Sequence, residues 1–263
     1  MKDRILAQLP ENFPWRDRIL WFDTIDSTSD HAKRLAAAGA PHGTVVIADR
    51  QTGGRGRMGR TFHSPGGVGV YLSVILRPRC QAQELMHLTC AVAVAMCDAV
   101  ENASGVRPGV KWINDLVFDR KKLGGILTEL SIAPDTGLVQ YAVIGIGINC
   151  CQVLEDFPAE LRDIATSLSM VTGQPMDRSR LAAAMVQALH RMDLTLKQEV
   201  MDAYRADCIT LGKDVVLLQN EQAQYGKALD LDEDGALIVK LRDGHIRTVS
   251  SGEVSVRGMY GYA

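Results

Sequence analysis

The feature that most constrains the fold is a change in sequence pattern near residue 211. Before it, long apolar strand-like segments alternate with helical segments. After it come short β-like runs, at 214–219, 236–241, 246–250 and 253–257, with turn signals such as Asp234-Gly235 between them. Several short strands joined by close turns are typical of a small β-barrel. The sequence therefore predicts two domains, residues 1–210 and residues 211–263.

Residues 1–210 mix strands with helices. Apolar and alternating runs predict strands, and stretches rich in alanine and leucine predict helices. The predicted strands are 44–48, 68–76, 106–112, 116–118, 122–131 and 140–149, and the predicted helices are 31–38, 83–102 and 181–204. This pattern predicts a sheet with helices, although it does not choose among sheet topologies.

Composition and charge exclude several classes of protein. A dedicated nucleic-acid-binding protein usually carries a basic excess, whereas this chain of 263 residues has a formal net charge of -2. Its most apolar stretches, 88–100 and 138–151, are shorter than the roughly 20 residues that span a bilayer. We expect no signal peptide, because the N-terminus has no apolar run before a small-residue cleavage site. The cysteines show no C-x-x-C spacing, which is typical of reduced thiols in a cytoplasmic protein.

The segment 54–60, GRGRMGR, carries three arginines among its glycines. Glycine lets a ligand approach the main chain closely, and arginine offers a planar fork of donors that matches phosphate or carboxylate. Three neighbouring arginines repel one another unless an anion lies among them. This loop therefore predicts a site for a polyanion, which could be a nucleotide, a nucleic acid or an acidic partner.

Four further segments carry unusual residues. Residues 26–29, DSTS, precede a helix, where Ser and Asp are good N-caps. Residues 111–115, KWIND, and 122–127, KLGGIL, place lysines beside apolar backbone with glycines that leave room for a ligand. Residues 145–149, GIGIN, put two glycines in a strand, which often marks close approach of another backbone or a ligand. Alone, each could be a cap, a charged hairpin or tight strand packing; together they predict one ligand site.

Together, these segments resemble the biotin protein ligase family, whose members attach biotin to carboxylase carrier proteins. The family's G-R-G-R-x-G-R, K-W-x-N-D, K-L-x-G-I-L and G-x-G-I-N segments occur here in the same order, and the resemblance runs from about residue 21 to the C-terminus. Two features depart from the family. Ile113 stands where many members have proline, and residues 1–20 are too short for the winged-helix DNA-binding domain of the bifunctional members. We therefore expect no DNA binding and no repressor function.

The resemblance implies an α+β fold. It implies a catalytic domain like that of class II aminoacyl-tRNA synthetases, with a mixed, mostly antiparallel sheet and helices, followed by an SH3-like C-terminal barrel. It also implies a two-step reaction that uses ATP and Mg²⁺. Biotin is activated to biotinyl-AMP with release of pyrophosphate, and a carrier lysine then displaces AMP. The expected partner is the biotin carboxyl carrier protein of acetyl-CoA carboxylase or of a similar carboxylase, and the family's sheet edges can pair into homodimers.

The resemblance also assigns the catalytic residues. Lys122 is expected to bridge the substrate carboxylate and the α-phosphate. Arg57 and Lys111 are expected to contact phosphates, as is Arg55. Asp115 is expected either to hold Mg²⁺ or to orient the carrier lysine.

The ligand-binding residues follow in the same way. Ser27, Thr28 and Gln51 are expected to hydrogen-bond the ureido head of biotin, and Trp112 could stack on a planar ring. The full predicted set is Ser27, Thr28, Ser29, Gln51, Gly54, Arg55, Arg57, Arg60, Trp112, Lys122, Gly124, Gly125, Leu127, Gly145, Gly147, Asn149 and Arg257.

Three alternatives stay open at this point. A lipoate–protein ligase has a related core and also acylates a carrier lysine, but the paired arginines and the G-x-G-I-N segment favour biotin. A nucleic-acid-binding module would place the loop on phosphate, and the net charge of -2 speaks against it. A catalytically inactive biotin-binding protein is disfavoured because the expected arginines, lysines and aspartate are all present.

Overall fold

The structure is a computed structural model that describes residues 1–192, 197–219, 222–250 and 253–256. The helices are α1 (Lys2–Ala7), α2 (Thr28–Ala37), α3 (Leu88–Ser104), α4 (Leu168–Thr172), α5 (Arg178–Met192) and α6 (Lys197–Asp207). Short 3₁₀ helices are Arg16–Arg18, Arg57–Gly59, Ala82–Leu85, Leu154–Asp156 and Ala159–Leu161. The strands are β1 (Ile19–Ile25), β2 (Thr44–Gln51), β3 (Gly69–Leu76), β4 (Gly109–Lys111), β5 (Asp115–Phe118), β6 (Lys121–Ile132), β7 (Val139–Asn149), β8 (Asp214–Gln219), β9 (Gln222–Leu231), β10 (Leu237–Leu241), β11 (Ile246–Val249) and β12 (Glu253–Val256).

The larger sheet positions the site. Its seven strands lie in the order β1-β2-β3-β7-β6-β5-β4. Strands β1 and β2 are parallel, and each of the other neighbouring pairs is antiparallel, which confirms the predicted mixed, mostly antiparallel sheet. Strands β6 and β7 pair in a register that sets Gly125 opposite Gly147 and Leu127 opposite Gly145. The two glycine-containing segments therefore meet at one place in the sheet.

Helices cover both faces of this sheet. On one face the small side chains of Ala32 and Ala36 bring α2 close to the strands, where they pack with Val46 and Ile75. On the other face α3 and α5 pack against each other and enclose the main core. Each Leu, Val or Met side chain that is fully buried there contributes about 1.5–3 kcal/mol relative to an exposed position.

Most predicted elements are present, with differences that have physical reasons. The predicted strand 106–112 is shorter and begins directly after Pro108, which lacks the N–H that a strand ladder needs. The predicted helix 181–204 corresponds to two helices, α5 and α6, and residues 193–196 between them lie outside the described part. Sequence analysis missed β1 and β9: β1 is an edge strand whose side chains are mostly part-exposed, and β9 has few strongly apolar residues.

The N-terminal lead packs against the larger domain. Ile5, Leu9 and Trp15 are buried in its core. The Gln187 amide of α5 donates to the Gln8 carbonyl at 3.2 Å, which links the two segments at their surface. Apolar side chains from the first 20 residues therefore contribute to this domain's hydrophobic core.

The smaller sheet is antiparallel, with the strand order β11-β10-β9-β8-β12. It forms the separate small C-terminal domain that the short runs predicted, consistent with an SH3-like barrel. The exact limits of 1–210 and 211–263 stay a prediction.

In the described residues, one helical run is long and apolar enough to cross a membrane, Ala82–Ser104. Of its most apolar window, 56% is buried inside the protein, where α3 packs against α5 and α6. This burial is that of a core helix. The cysteines, including the buried Cys90 and Cys97 of α3, are free thiols.

Candidate active site

A continuous groove runs over the centre of the larger sheet, beneath the glycine–arginine loop, and we divide it into three parts. The inner compartment is lined by Thr28, Ser29, Gln51, Arg55, Leu127, Gly145 and Gly147, among others. The charged centre contains Arg57, Lys111, Asn114, Asp115 and Lys122. The outer compartment is lined by Arg60, Phe62, His63, Asn149, Phe157, Leu161, Ile164 and Ala165. Phe62 and Lys122 border all three parts, so the groove is one site.

The glycine–arginine loop is closed by its own backbone. The Gly56 N–H donates to the Arg60 carbonyl at 2.7 Å, and the Phe62 N–H donates to the Gly54 carbonyl at 2.9 Å. At the tip, Met58 and Gly59 have φ values of 56° and 74°, in the left-handed region that a glycine adopts without strain. This hairpin folds Arg57 and Arg60 back over the groove.

The inner compartment is walled by the start of α2. The Thr28 N–H donates to Gln51 Oε1 at 2.8 Å, and the Gln51 amide nitrogen donates to Ser64 Oγ at 2.9 Å. Ser27, which was expected to contact biotin, is buried and caps α2 by accepting from the Asp30 N–H at 3.3 Å. Of the three polar residues that begin this helix, Thr28 and Ser29 line the compartment.

The glycines of the site make room for neighbouring side chains and backbone. A Cβ on Gly145 would overlap Ser29 Oγ, and a Cβ on Gly147 would lie 2.5 Å from the Phe62 ring. A Cβ on Gly124 would lie 2.5 Å from a strand carbonyl. Tight packing against neighbouring atoms therefore explains why these positions are glycine. The same close packing sets the shape of the inner compartment.

Three neighbouring strands bring together the cations of the charged centre. Lys111 ends β4, Asp115 begins β5 and lies opposite Lys111, and Lys122 lies near the start of β6. Lys122 Nζ lies 2.7 Å from Asp115 Oδ1. The Lys122 N–H also donates to the Ile164 carbonyl at 2.7 Å, which fixes this lysine between β5 and the 159–166 segment. Lys111 is only 9% exposed, so its charge acts in a partly water-poor region.

Asn114 joins the loop to the sheet. An Arg57 Nη1 hydrogen bond to Asn114 Oδ1 spans 3.0 Å, and Asn114 Nδ2 donates to the Ile126 carbonyl at 2.8 Å. Because a carbonyl only accepts, this second bond fixes which amide atom faces Arg57. The sequence had singled out the KWIND segment but not Asn114 within it.

Arg55 lies among carboxylates. Its guanidinium is 2.6 Å from Asp30 and 3.3 Å from Glu129, and Lys33 contacts the same two carboxylates at 2.8 and 3.0 Å. Burial opposes ionisation of Asp30, but hydrogen bonds from Lys33 and Arg55 outweigh it and lower the pKa of Asp30. The structure thus gives Arg55 partners other than the phosphates expected for it. This network ties the start of the loop to α2 and β6.

Trp112 lies between the two domains. It is buried, its indole N–H donates to the Gly235 carbonyl at 2.9 Å, and its backbone N–H donates to Thr210 Oγ1 at 2.9 Å. Trp112 is also one of the residues that line the charged centre. The aromatic side chains of the outer compartment are Phe62 and Phe157, which sequence reasoning missed, although Phe62 directly follows the arginine loop.

Asn149 lies at the far end of the groove, where its side chain is fixed by two contacts. It donates to the Thr166 carbonyl at 3.0 Å and accepts from Gln152 at 3.1 Å. Arg257 falls outside the described residues. Val254 of β12 borders the charged centre, so the small domain reaches the groove.

The described residues of this groove do not form a preformed metal cage. Among the described residues, no group of three or more His, Cys, Asp or Glu could hold a metal ion. Asp115 is the carboxylate of the charged centre, and it contacts Lys122. Mg²⁺ is often held by one or two carboxylates together with substrate phosphates. Any Mg²⁺ in this groove would therefore depend on the phosphates that accompany it.

Comparison with known proteins agrees with this geometry. Residues 21–149 match the Biotin/lipoate A/B protein ligase family, and residues 210–257 match the Biotin protein ligase C terminal domain. The bifunctional ligase/repressor BirA of Bacillus subtilis is 36% identical over 245 residues, which are 90% of this chain and 74% of the relative. The biotin–[acetyl-CoA-carboxylase] ligase of Mycobacterium tuberculosis is 31% identical over 248 residues, 91% of this chain and 89% of the relative.

A solved structure has the same fold. The biotin protein ligase of Aquifex aeolicus, in complex with biotin and ATP, is 32% identical and aligns with a TM-score of 0.76. The alignment covers 91% of this chain and 98% of that one. The match thus includes both the larger sheet and the C-terminal domain.

Proposed function

This chain belongs to the biotin protein ligase family, and on that basis we propose how its own residues carry the family reaction. The protein uses ATP to activate biotin as biotinyl-AMP and transfers the biotin to a lysine of a biotin carboxyl carrier protein. The roles proposed for individual residues rest on one observation, the arrangement of the groove. Its polar inner compartment, its cationic centre and its apolar outer compartment lie in the order that an acid, phosphates and a nucleotide base require.

Binding follows from the lining of each part. The fused rings of biotin would lie in the inner compartment, where the polar groups of Thr28, Ser29 and Gln51 stand beside the apolar Ile126, Leu127 and Ile146. Its carboxylate would reach Lys122, and the ATP phosphates would lie among Arg57, Lys111 and Lys122. The adenine base would lie against Phe62 in the outer compartment.

Adenylation requires one anion to approach another. A carboxylate attacks the α-phosphorus, pyrophosphate leaves, and negative charge rises on the phosphate oxygens. A fixed cation about 4 Å from such charge contributes on the order of 4 kcal/mol at an effective dielectric of 20. Lys122 supplies this cation, and Asp115, 2.7 Å away, holds it in position. Mg²⁺ would enter with the ATP phosphates.

Transfer requires a neutral amine to reach the acyl carbon of the adenylate. AMP leaves far more readily than oxide would, so activation in the first step makes the second possible. We assign Asp115 to positioning Lys122, because these two side chains contact each other directly. The expected role of Asp115 in orienting the carrier lysine stays a prediction.

We also propose a specific carrier protein and a cellular compartment. The carrier domain of acetyl-CoA carboxylase is the partner we propose, because that substrate appears in the names of the relatives from M. tuberculosis and Paracoccus denitrificans. We propose a cytoplasmic location, in keeping with the free cysteines. Homodimer formation and the absence of DNA binding stay predictions.

The test is the intact mass of a purified carrier domain after incubation with this protein, Mg²⁺-ATP and either biotin or lipoate. We expect a biotin-sized increase that needs ATP and that Lys122→Ala slows by at least about a hundredfold. A lipoate-sized increase would keep the mechanism and overturn the assignment of the inner compartment. No increase with either acid, on a folded carrier, would contradict the proposed activity.

Arg57→Gly tests retention of the intermediate. Arg57 joins the loop to Asn114 above the charged centre, so its loss should let biotinyl-AMP escape before transfer. Escaped adenylate would biotinylate exposed lysines of an unrelated protein, such as serum albumin, added to the reaction. Unchanged labelling of that protein would argue for another role of Arg57.

A further inference from the structure

A chain of side chains runs from the inner compartment through the buried sheet to the glycine–arginine loop. Ser73 of β3, fully buried, lies at its centre and is not among the residues that line the compartment. The contacts are Ser29 Oγ to Ser73 Oγ at 3.1 Å, Ser73 Oγ to Thr28 Oγ1 at 2.9 Å, Thr28 Oγ1 to Gln51 Oε1 at 3.1 Å, Gln51 Nε2 to Ser64 Oγ at 2.9 Å, and Ser64 Oγ to the Phe62 carbonyl at 2.9 Å.

Two backbone groups fix the direction of this chain. The Thr28 N–H can only donate, so the Gln51 atom that it meets at 2.8 Å is the amide oxygen. The amide nitrogen of Gln51 therefore faces Ser64. The Phe62 carbonyl can only accept, so the Ser64 hydroxyl donates to it.

The direction of the remaining bonds follows by elimination. The Gln51 oxygen only accepts, so the Thr28 hydroxyl donates to it. Since a hydroxyl has one proton, Thr28 cannot also donate to Ser73, and Ser73 donates to Thr28. Ser73 has then used its own proton, so Ser29 donates to Ser73. Every hydroxyl proton in the chain is committed toward the Phe62 carbonyl.

This polarity decides what the inner compartment offers to a ligand. Ser29 and Thr28, whose protons are committed, present oxygen lone pairs. Gln51 retains its second amide proton. The compartment therefore suits a ligand head with N–H donors beside a carbonyl acceptor, which describes a cyclic urea. A dithiolane ring has no N–H and would leave these acceptors unmatched.

We propose that Ser73 is a positioning residue that sets this specificity, because it holds the Ser29 proton away from the ligand. The proposal rests on the proposed function, in which the inner compartment takes the ureido head of biotin. Gly145 supports the arrangement. It lies opposite Ser73 across β3 and β7, and a Cβ there would overlap Ser29 Oγ. Glycine at 145 thus keeps Ser29 within reach of Ser73.

The test compares two ligands on two variants. The ligands are biotin and its cyclic carbamate analogue, in which one ring N–H is replaced by oxygen, and their binding is measured by calorimetry. Wild type should prefer biotin strongly. In Ser73→Ala the Ser29 proton is released and can turn toward the ligand. Biotin should then bind roughly tenfold more weakly, about the value of one misdirected hydrogen bond, while the preference for biotin over the carbamate falls by a similar factor.

The matched control is Thr44→Val. Thr44 is a buried hydroxyl residue of β2 whose bond goes to the Pro41 carbonyl, outside this chain. Thr44→Val should leave the affinities for biotin and for the carbamate unchanged. The KM for ATP should be unchanged in every variant tested. If Ser73→Ala does not fold, Ser73→Cys replaces the hydroxyl by a thiol, a much weaker acceptor for the Ser29 proton, and should lower the same preference.

The possible outcomes distinguish failure of the Ser73 proposal from failure of the proposed function. Equal weakening of biotin and carbamate, or a matching rise in the KM for ATP, would show that Ser73 acts only on structure and would overturn the proposal. An unchanged preference would do the same. If wild type binds neither ligand, the proposed function itself fails. A selective loss of the preference for biotin would support the positioning role.

Discussion

Replacing Asn114 by alanine should loosen the hold of the enzyme on its own intermediate. Asn114 accepts from Arg57 at 3.0 Å and donates to the Ile126 carbonyl at 2.8 Å, so it connects the arginine loop to β6. Alanine removes both bonds. The loop would then close over biotinyl-AMP without one of its anchors, and the intermediate should leave faster.

The magnitude follows from the kind of bond that is lost. A hydrogen bond to a charged group contributes about 1.5–3 kcal/mol, and each 1.4 kcal/mol is about a factor of ten. The Arg57 bond is only part-buried, which favours the lower half of that range. We therefore expect biotinyl-AMP to dissociate from Asn114→Ala roughly 10- to 40-fold faster than from wild type.

The assay is the release of preformed, radiolabelled biotinyl-AMP after dilution into excess unlabelled biotin and ATP. Asn114→Asp is the control, because it keeps an acceptor for Arg57 and loses the donor to Ile126. If the link to Arg57 retains the intermediate, the aspartate variant should release it more slowly than the alanine variant. Equal release from both variants, or wild-type release from Asn114→Ala, would refute the reasoning.

Four further predictions follow from other contacts. Lys122→Ala should slow adenylate formation, followed as pyrophosphate release, by roughly 10²- to 10³-fold with an unchanged circular dichroism spectrum; near-normal turnover would remove this lysine from the mechanism. Trp112→Phe leaves the Gly235 carbonyl without its donor, so urea denaturation should show a loss of about 1–3 kcal/mol in the free energy of unfolding, and a loss under about 0.5 would contradict it. Interaction with the adjacent, fully buried Cys150 thiol lowers the pKa of Cys151, so its alkylation by iodoacetamide, mapped by mass spectrometry, should reach half its maximal rate at a lower pH than that of free cysteine; a midpoint at or above that of free cysteine would contradict this. Protease cleavage within 51–62 should slow when biotin and ATP are added, and equal rates would exclude ordering of the loop by ligands.

How much of the site could be predicted depended on how far apart its partners lie in the chain. The lysines and arginines of the site were predictable because clustered cations beside glycines have few structural uses. The partners of Arg55 could not be predicted. Asp30 lies 25 residues away along the chain, and Glu129 lies on β6, farther still along the chain. The same holds for Ser73, an ordinary strand serine until α2 brings Thr28 and Ser29 onto it.

The sequence by itself determined the kinds of chemistry that this protein can perform and the two-part plan of its fold. Charge, glycine spacing and apolar patterning are local properties, and they persist in the unfolded chain. Only the tertiary structure decided which groups meet. It set Lys122 on Asp115 across two strands, and it buried Trp112 against Gly235, 123 residues away, in the contact between the domains. Hydrogen-bond partners and their direction depend on positions within a few ångströms, and packing of the whole chain fixes those positions.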